Sequence, residues 1–193
     1  MHIDTMNAVI AGRRSVFPQD YSGERVDDAI VHQILENANW APTHKFTEPW
    51  RFIIYTGDGI GQLAQSQAAY YKQYTTADGT FREERYNNLL TKPLLSSHII
   101  VVGMHRDPKH GVPEVEEIGA VFCAVQNMYL TAAAYGIGAY LSTGGITYFD
   151  GANELFGWGP EDKLIGFFHL GMPAKAPLPG RRKPIDEKVR WVR

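Results

Sequence analysis

The sequence has 193 residues, of which 44% are apolar and 21% charged, and its formal net charge is −2. A single domain of this length buries about 70% of its unfolded surface, so it needs no disulfide or metal to be stable. The balanced charge gives no reason to expect nucleic acid or an anionic membrane as the main partner. A single cysteine and an N-terminus without signal-peptide character favour a cytoplasmic protein.

Two helices are predicted before the first strand. Asp4 is a candidate N-cap for a short helix that ends near Gly12. A second helix is predicted over residues 26–41, where apolar residues recur at helical spacing, and Pro42 ends it.

The middle of the chain predicts a strand over 50–56 and a helix over 60–74, followed by a mixed segment of charges and aromatics over 75–95. The sequence GDGIGQL at 57–63 follows a strand and precedes a helix, as a dinucleotide-binding loop does. However, Gln62 stands where the third glycine of that loop is required. We therefore interpret this segment as a turn.

The second half of the chain predicts three strands, a long buried helix and an extended basic tail. The strands fall at 97–104, 136–142 and 163–173, and the helix at 115–135. Helices and strands alternate without a strict βαβ rhythm, and no linker or repeat divides the chain. The sequence therefore predicts a single α+β domain over residues 1–193.

Metal and nucleophile chemistry are not indicated. His105 and His110 flank a loop that is followed by three glutamates, but their spacing matches no zinc motif, so we interpret the segment as a solvated loop. No G-x-S-x-G nucleophile motif occurs. Cys123 lies in the apolar helix, and we expect it in the core.

Two segments stand out. GRRSVF, residues 12–17, contains two arginines and a serine, which suit a phosphate but also fit a surface patch. A second arginine pair, Arg181 and Arg182, could converge on the same phosphate if the tail folds back. WAPTHKFTEPWRF, residues 40–52, is rigid and aromatic, which packing or a flat ligand could each explain.

Four segments in this order make the sequence resemble the nitroreductase family of FMN-dependent oxidoreductases. They are RRS at 13–15, APTHKFTEPWRF at 41–52, AYGIGAYLSTGG at 134–145, and RRKP followed by VRWV near the C-terminus. The resemblance covers essentially the whole chain and looks closest to the small single-domain bacterial members. It implies a three-layer sandwich, with a mainly antiparallel sheet flanked by helices, in an intertwined homodimer.

The resemblance implies that one arginine-rich cluster binds the phosphate end of FMN. Arg13, Arg14 and Ser15 would hold the phosphate and ribityl chain. Arg182 would close over the phosphate from the tail.

The resemblance also implies which residues meet the isoalloxazine ring. Leu141, Ser142 and Thr143 would line the ring within one chain. Trp40 and His44 would reach the FMN of the partner chain, so that the aromatic segment forms one wall of a shared site.

Two departures from the family pattern concern contacts with the cofactor. Many members have Asn-Ser-Gln before the P-W pair, whereas this chain has Phe, Thr and Glu at 46–48, so an amide that could reach the ring is missing. Phe17 occupies a position that is often basic in the family, which removes one possible partner of the phosphate. These differences affect the substrate and the redox potential more than the identity of the cofactor.

The implied activity is transfer of a hydride from NAD(P)H to flavin N5 and on to nitroaromatic, quinone-like or related planar acceptors. The flavin carries this chemistry, so no catalytic acid or base and no metal is expected. Three alternatives remain open at this point: a specialised flavin reductase or dehalogenase with a lid over 70–95, a flavin-binding protein without turnover, and a cofactor-free structural dimer. The aromatics of 70–95 could equally pack against the core.

Overall fold

A four-stranded antiparallel sheet forms the centre of the fold in the computed structural model, which describes residues 3–193. The spatial order of the strands is β1-β2-β4-β3. The strands are β1 (Trp50–Thr56), β2 (His98–Met104), β3 (Gly138–Ser142) and β4 (Lys163–Gly171). All four coincide with predicted strands, and the α+β fold is confirmed.

Five α-helices surround the sheet: α1 (Ile3–Gly12), α2 (Asp28–Asn39), α3 (Asp58–Ala77), α4 (Glu83–Thr91) and α5 (Glu114–Ala134). The carboxylate of Asp27 caps α2 by accepting a hydrogen bond from the N–H of Ala29. Asp4 lies inside the first turn of α1, so its assignment as N-cap was wrong, although an acidic residue there still complements the helix dipole. Helix α4 was not predicted within the mixed segment.

Each face of the sheet packs against its own helices, which makes three layers. Alternate residues of β2 point to opposite faces. Ile100 and Val102 join the core with α2 and α5, whereas Ile99 and Val101 join the core with α3. The β2 residues of both cores are fully buried, so packing on both faces of the sheet fixes the register of β2 with its neighbouring strands.

The outer side of α5 corrects one prediction. Cys123 is exposed, not in the core, and the adjacent Phe122 is 46% exposed. The core-facing side of the helix is instead formed by residues such as Val121 and Met128. The apolar character of α5 continues around the helix, so its sequence did not show which side faces the sheet.

A buried ion pair anchors the start of α5. The Arg106 guanidinium pairs with the Glu117 carboxylate, whose side chain is 1% exposed. The other carboxylate oxygen of Glu117 accepts a hydrogen bond from the N–H of Asp107 at 2.9 Å. Among residues 3–193, no helix is both long and apolar enough to span a membrane.

Candidate functional site

The segment that follows α1 lies alongside β3. Ser15 forms a parallel bridge with Ala139, and the N–H of Val16 donates to the Ala139 carbonyl at 3.0 Å. This pairing brings the Arg-Arg-Ser triplet next to the strand that ends in Leu141 and Ser142. Two segments that are distant in the sequence therefore meet at one edge of the sheet.

Tyr129 of α5 connects these two segments. Its ring lies under the Arg13 guanidinium, with 4.9 Å between Cζ and the ring centroid. Its hydroxyl oxygen accepts a hydrogen bond from the N–H of Leu141 at 2.6 Å. Sequence reasoning missed Tyr129 because nothing local to α5 indicates a contact with either segment.

The C-terminal tail folds back over Arg14. The Nε of Arg14 donates to the Leu178 carbonyl at 3.2 Å, and Nη1 donates to the Ala11 and Arg13 carbonyls at 2.7 Å each. The backbone of Gly180 lies so close that an added Cβ would be 2.5 Å from Arg14 Cζ. The tail therefore folds back as far as Arg14, which it meets through Leu178 and Gly180.

In the described part of the chain, the arginines of the expected phosphate site have no carboxylate partner. Arg182 is exposed, and its Nη1 donates to the neighbouring Arg181 carbonyl at 2.7 Å. Within residues 3–193, neither Arg13, Arg14 nor Arg182 forms an ion pair with Asp or Glu. Their positive charge is thus available to an anionic ligand.

A cavity of about 440 Å³ opens between the end of β3 and α4. From the β3 side it is lined by aromatic and small polar residues: Phe17, Tyr140, Ser142, Gly144 and Gly145. From α4 and the turn after it, the lining is largely polar and cationic: Arg85, Asn88, Leu89 and Lys92. Such a mixture suits a flat aromatic ligand with one polar or anionic edge.

Leu141 and Ser142 face opposite sides of the sheet. Leu141 packs against the α5-side core, whereas Ser142 lines the cavity on the other face. Thr143 follows β3 and is half-buried. The structure thus brings the Ser142 side chain to the cavity, whereas the Leu141 side chain packs into the core on the opposite face of the sheet.

His169 of β4 lines the same cavity and was missed by sequence reasoning. Its Nδ1 lies 2.9 Å from the hydroxyl oxygen of Ser96, and its ring is stacked on Tyr140 with 6.1 Å between centroids. Burial lowers the pKa of His169 to about 4, because the charged imidazolium would lose its hydration. The residue stands in an apolar strand, so only its polarity could have indicated a separate role.

His44 lies near the start of α5, whereas Trp40 lies at the end of α2 that contacts the C-terminal half of α5, where Asn37 donates to Thr131 at 2.9 Å. Trp40 follows the last residue of α2 and is 83% exposed. The Nδ1 of His44 lies 2.5 Å from Oε2 of Glu116. Neither residue contacts Arg13 or Leu141 within one chain, so the structure does not bring the two halves of the expected site together in the monomer.

The loop between α2 and β1 is strained, not simply rigid. Lys45, Phe46 and Glu48 have φ values of 53°, 55° and 42°, in the left-handed region that non-glycine residues avoid. The side chain of Lys45 fixes the loop by donating to the Gly111 carbonyl at 2.7 Å. Phe46 is 88% exposed at the tip, so packing within one chain does not explain this aromatic residue.

The structure locates two other segments that the sequence singled out. The turn between β1 and α3 is Gly57 alone, with φ 54°, and residues 58–63 form the first turns of α3. In the part of the chain that the structure describes, no group of three or more His, Cys, Asp or Glu could hold a metal ion. His105 instead pairs with Asp162 at 2.9 Å.

The aromatic residues of 70–95 pack together. Tyr74 stacks on Phe149 with 4.2 Å between centroids, and Tyr71 contacts Phe81 at 6.1 Å. The polar side of α4 faces the cavity. Helix α4 therefore forms a wall of the cavity, whereas the aromatic residues of 70–95 serve mainly in packing.

Comparison with known proteins agrees with this architecture. The sequence profile of the nitroreductase family matches residues 10–172. This chain belongs to the nitroreductase family. The match includes the Arg-Arg-Ser triplet, β3 and the residues that line the cavity between β3 and α4, and it ends before the tail.

Individual relatives cover nearly the whole chain. "Putative NAD(P)H nitroreductase YfhC" of Bacillus subtilis is 29% identical over 93% of this chain and 90% of its own length. A nitroreductase-like family protein from Bacillus cereus has 30% identity and a TM-score of 0.83, covering 97% of this chain and 95% of its own. A Desulfovibrio desulfuricans protein described as a putative nitroreductase in complex with FMN has 25% identity and a TM-score of 0.73, covering 100% and 99%.

Proposed function

We propose that the protein is an FMN-dependent NAD(P)H oxidoreductase that reduces nitroaromatic, quinone-like or related planar acceptors. The observation that carries the proposal is the pair Arg13 and Arg14, which have no carboxylate partner among residues 3–193 and lie at the same edge of the sheet as the cavity beside β3. An anion site next to an aromatic slot matches a ligand with a phosphate at one end and a flat ring at the other. A family relative with bound FMN and another named as an NAD(P)H nitroreductase support this identification.

The phosphate end is proposed to lie among Arg13, Arg14, Ser15 and Arg182. Each charge-assisted hydrogen bond contributes about 1.5–3 kcal/mol, so two or three would retain the cofactor without a covalent bond. Nη1 and Nε of Arg14 already donate hydrogen bonds to backbone carbonyls. Its main task would therefore be to hold the tail in place, with Arg13 and Arg182 facing the phosphate more directly.

The ring end is proposed to lie in the cavity, against Tyr140 and Ser142, with Thr143 and the backbone of Leu141 at its border. The Leu141 N–H is already bonded to Tyr129, which leaves its carbonyl for a ring contact. FMN supplies the two-electron transfer between NAD(P)H and the acceptor. Arg85 and Lys92 line the cavity, and their positive charge would favour the reduced, anionic form of the ring.

The second half of the site is proposed to come from a partner chain in a homodimer. Tyr129 marks the Arg13 end of α5, whereas Glu116 marks the His44 end. At 1.5 Å per residue, the helix places Glu116 about 20 Å from Tyr129. His44 of one chain is therefore better placed to meet the ring bound by another, and the exposed Trp40 and Phe46 would be covered in the same interface.

FMN binding tests the proposal directly. We expect the purified protein to bind FMN, and Arg13→Ala to weaken binding by about tenfold or more, which corresponds to one lost charge-assisted hydrogen bond. Arg82→Ala is the matched control, because Arg82 is exposed and lies outside the lining of the cavity. Titration of the apoprotein by flavin fluorescence gives each dissociation constant. No FMN binding, or equal loss in both variants, would contradict the proposal.

Subunit mixing tests the shared site. If Trp40 acts in trans, Arg13→Ala and Trp40→Ala chains each lack half of every site in their own homodimers. A mixed dimer, however, contains one intact site built from the unchanged half of each chain. We expect FMN binding to reappear when the two variants are unfolded together and refolded. Persistent weak binding in the mixed population would place Trp40 and Arg13 in the same chain's site.

A further inference from the structure

The second ring nitrogen of His169 faces the cavity. His169 is 7% exposed, and within residues 3–193 its one side-chain hydrogen bond joins Nδ1 to Ser96. No fully buried side-chain nitrogen or oxygen of the described residues lacks a hydrogen-bond partner. Nε2 makes no such bond, so it must be in contact with open space, and His169 lines the cavity of about 440 Å³.

The Ser96 hydroxyl determines which nitrogen of His169 carries the proton. Ser96 is buried, and in the described part of the chain Nδ1 of His169 is the one partner of its hydroxyl oxygen. If Nδ1 carried the proton, the Ser96 hydroxyl would have no acceptor within the described residues and would have to donate into the separate cavity of about 530 Å³ that Ser96 also lines. We take Nδ1 as the acceptor, which keeps the Ser96 hydrogen bond inside the protein, so that Nε2–H is a donor directed into the cavity beside β3.

The surroundings keep this imidazole neutral. Burial lowers the pKa of His169 to about 4. The cationic side chains that line the cavity, Arg85 and Lys92, also oppose a positive charge on the ring, and the stacked Tyr140 offers no negative charge. His169 is thus a fixed neutral donor at physiological pH, not an acid or a switch.

We propose that the Nε2–H of His169 donates a hydrogen bond to the pyrimidine edge of the bound flavin ring. The assignment rests on the proposed function, because it requires a flavin in this cavity. The pyrimidine end of a flavin carries two carbonyl oxygens and N1 as acceptors, whereas the opposite end is a dimethylbenzene. Donors from Arg85, Lys92 and His169 all line this cavity, so they match the pyrimidine end.

The consequence of this bond is redox tuning. Reduction of the flavin puts negative charge on the pyrimidine ring, so a donor there binds the reduced form more tightly than the oxidised form. Phe17, at the cavity wall, supplies no donor. His169 then provides a neutral donor on this side of the ring, and its loss would lower the midpoint potential of the bound flavin.

Two substitutions of His169 separate the donor from the bulk of the side chain. His169→Leu removes the donor, whereas His169→Gln keeps an N–H group. For Leu we expect about fivefold weaker FMN binding, which is the loss of one neutral hydrogen bond. We also expect the Leu variant to lose a fivefold preference of the protein for reduced over oxidised flavin. For a two-electron couple, this loss lowers the midpoint potential of the bound flavin by about 20 mV. Gln should recover both. A Leu variant with unchanged affinity and potential would overturn the proposal.

Nitrogen NMR of histidine-labelled wild-type protein tests the same bond without a folding risk. His169→Gln serves only to assign the signal. We expect a neutral ring protonated at Nε2, and a downfield shift of that proton when FMN is added. A proton on Nδ1, or a signal that FMN leaves unmoved, would refute the role of His169. A protein that binds no FMN at all would instead refute the proposed function.

Discussion

Acid should destabilise the protein through His169, and replacement by glutamine should remove that effect. The unfolded imidazole has a pKa of about 6.5, whereas burial lowers the native pKa to about 4. Between these values the unfolded chain binds more protons than the native chain. The free energy of unfolding contributed by His169 is therefore complete above about pH 6.5 and falls as the pH drops toward 4.

The size of the effect follows from these two pKa values. Between pH 7 and pH 5 the linkage lowers the free energy of unfolding by about 2 kcal/mol. At pH 5 about nine-tenths of a native imidazole with a pKa of about 4 is neutral, so a lower native pKa would raise the figure only slightly. For a chain of this length, the loss corresponds to a fall in Tm of roughly 4–8 °C.

The assay compares wild type and His169→Gln by urea unfolding at pH 7 and pH 5, at one protein concentration and with the same excess of FMN. Other groups titrate in both proteins and cancel in the comparison. Asp28, for example, has a lowered pKa because it accepts hydrogen bonds from His98 and Arg25. We expect wild type to lose about 2 kcal/mol more than the variant. Equal losses would show that the native imidazole is not held neutral by burial.

Three further changes test the packing and the proposed assembly. Glu117→Gln leaves the guanidinium of Arg106 buried without its partner and should lower the free energy of unfolding by about 3–5 kcal/mol, measured by urea unfolding. Gly103→Ala places a Cβ 2.5 Å from the Trp158 ring and should cost about 1–3 kcal/mol in the same assay. Phe122→Glu puts a charge on the exposed side of α5 and should shift the proposed dimer toward monomer in size-exclusion chromatography with light scattering. Wild-type behaviour in any of the three would refute the contact on which it depends.

Local patterns in the sequence predicted most of the fold. Apolar alternation or continuity placed all four strands, and the spacing of Ile30, Ile34 and Ala38 identified α2. The prediction of Cys123 in the core failed because α5 is apolar around much of its circumference. Helix α4 was missed because it has no fully buried residue to produce a clear period.

The site was predictable only where the resemblance supplied it. Periodicity cannot show that Tyr129 lies under Arg13 and also bonds the backbone of Leu141, because both contacts join distant parts of the chain. His169 was missed for a related reason, since Ser96 and the cavity approach it from other elements. The sequence showed only that the two arginine pairs could converge if the tail folds back. The contact between Gly180 and Arg14 shows that the tail does fold back.

Anaerobic reduction tests the central claim most directly. The protein is loaded with FMN, excess cofactor is removed, and NADH or NADPH is added without oxygen while the visible flavin absorption is followed. The account predicts that the absorption bleaches and that a nitroaromatic or quinone then restores it. A protein that takes up no FMN, or whose bound FMN stays oxidised with both nucleotides, would contradict the account.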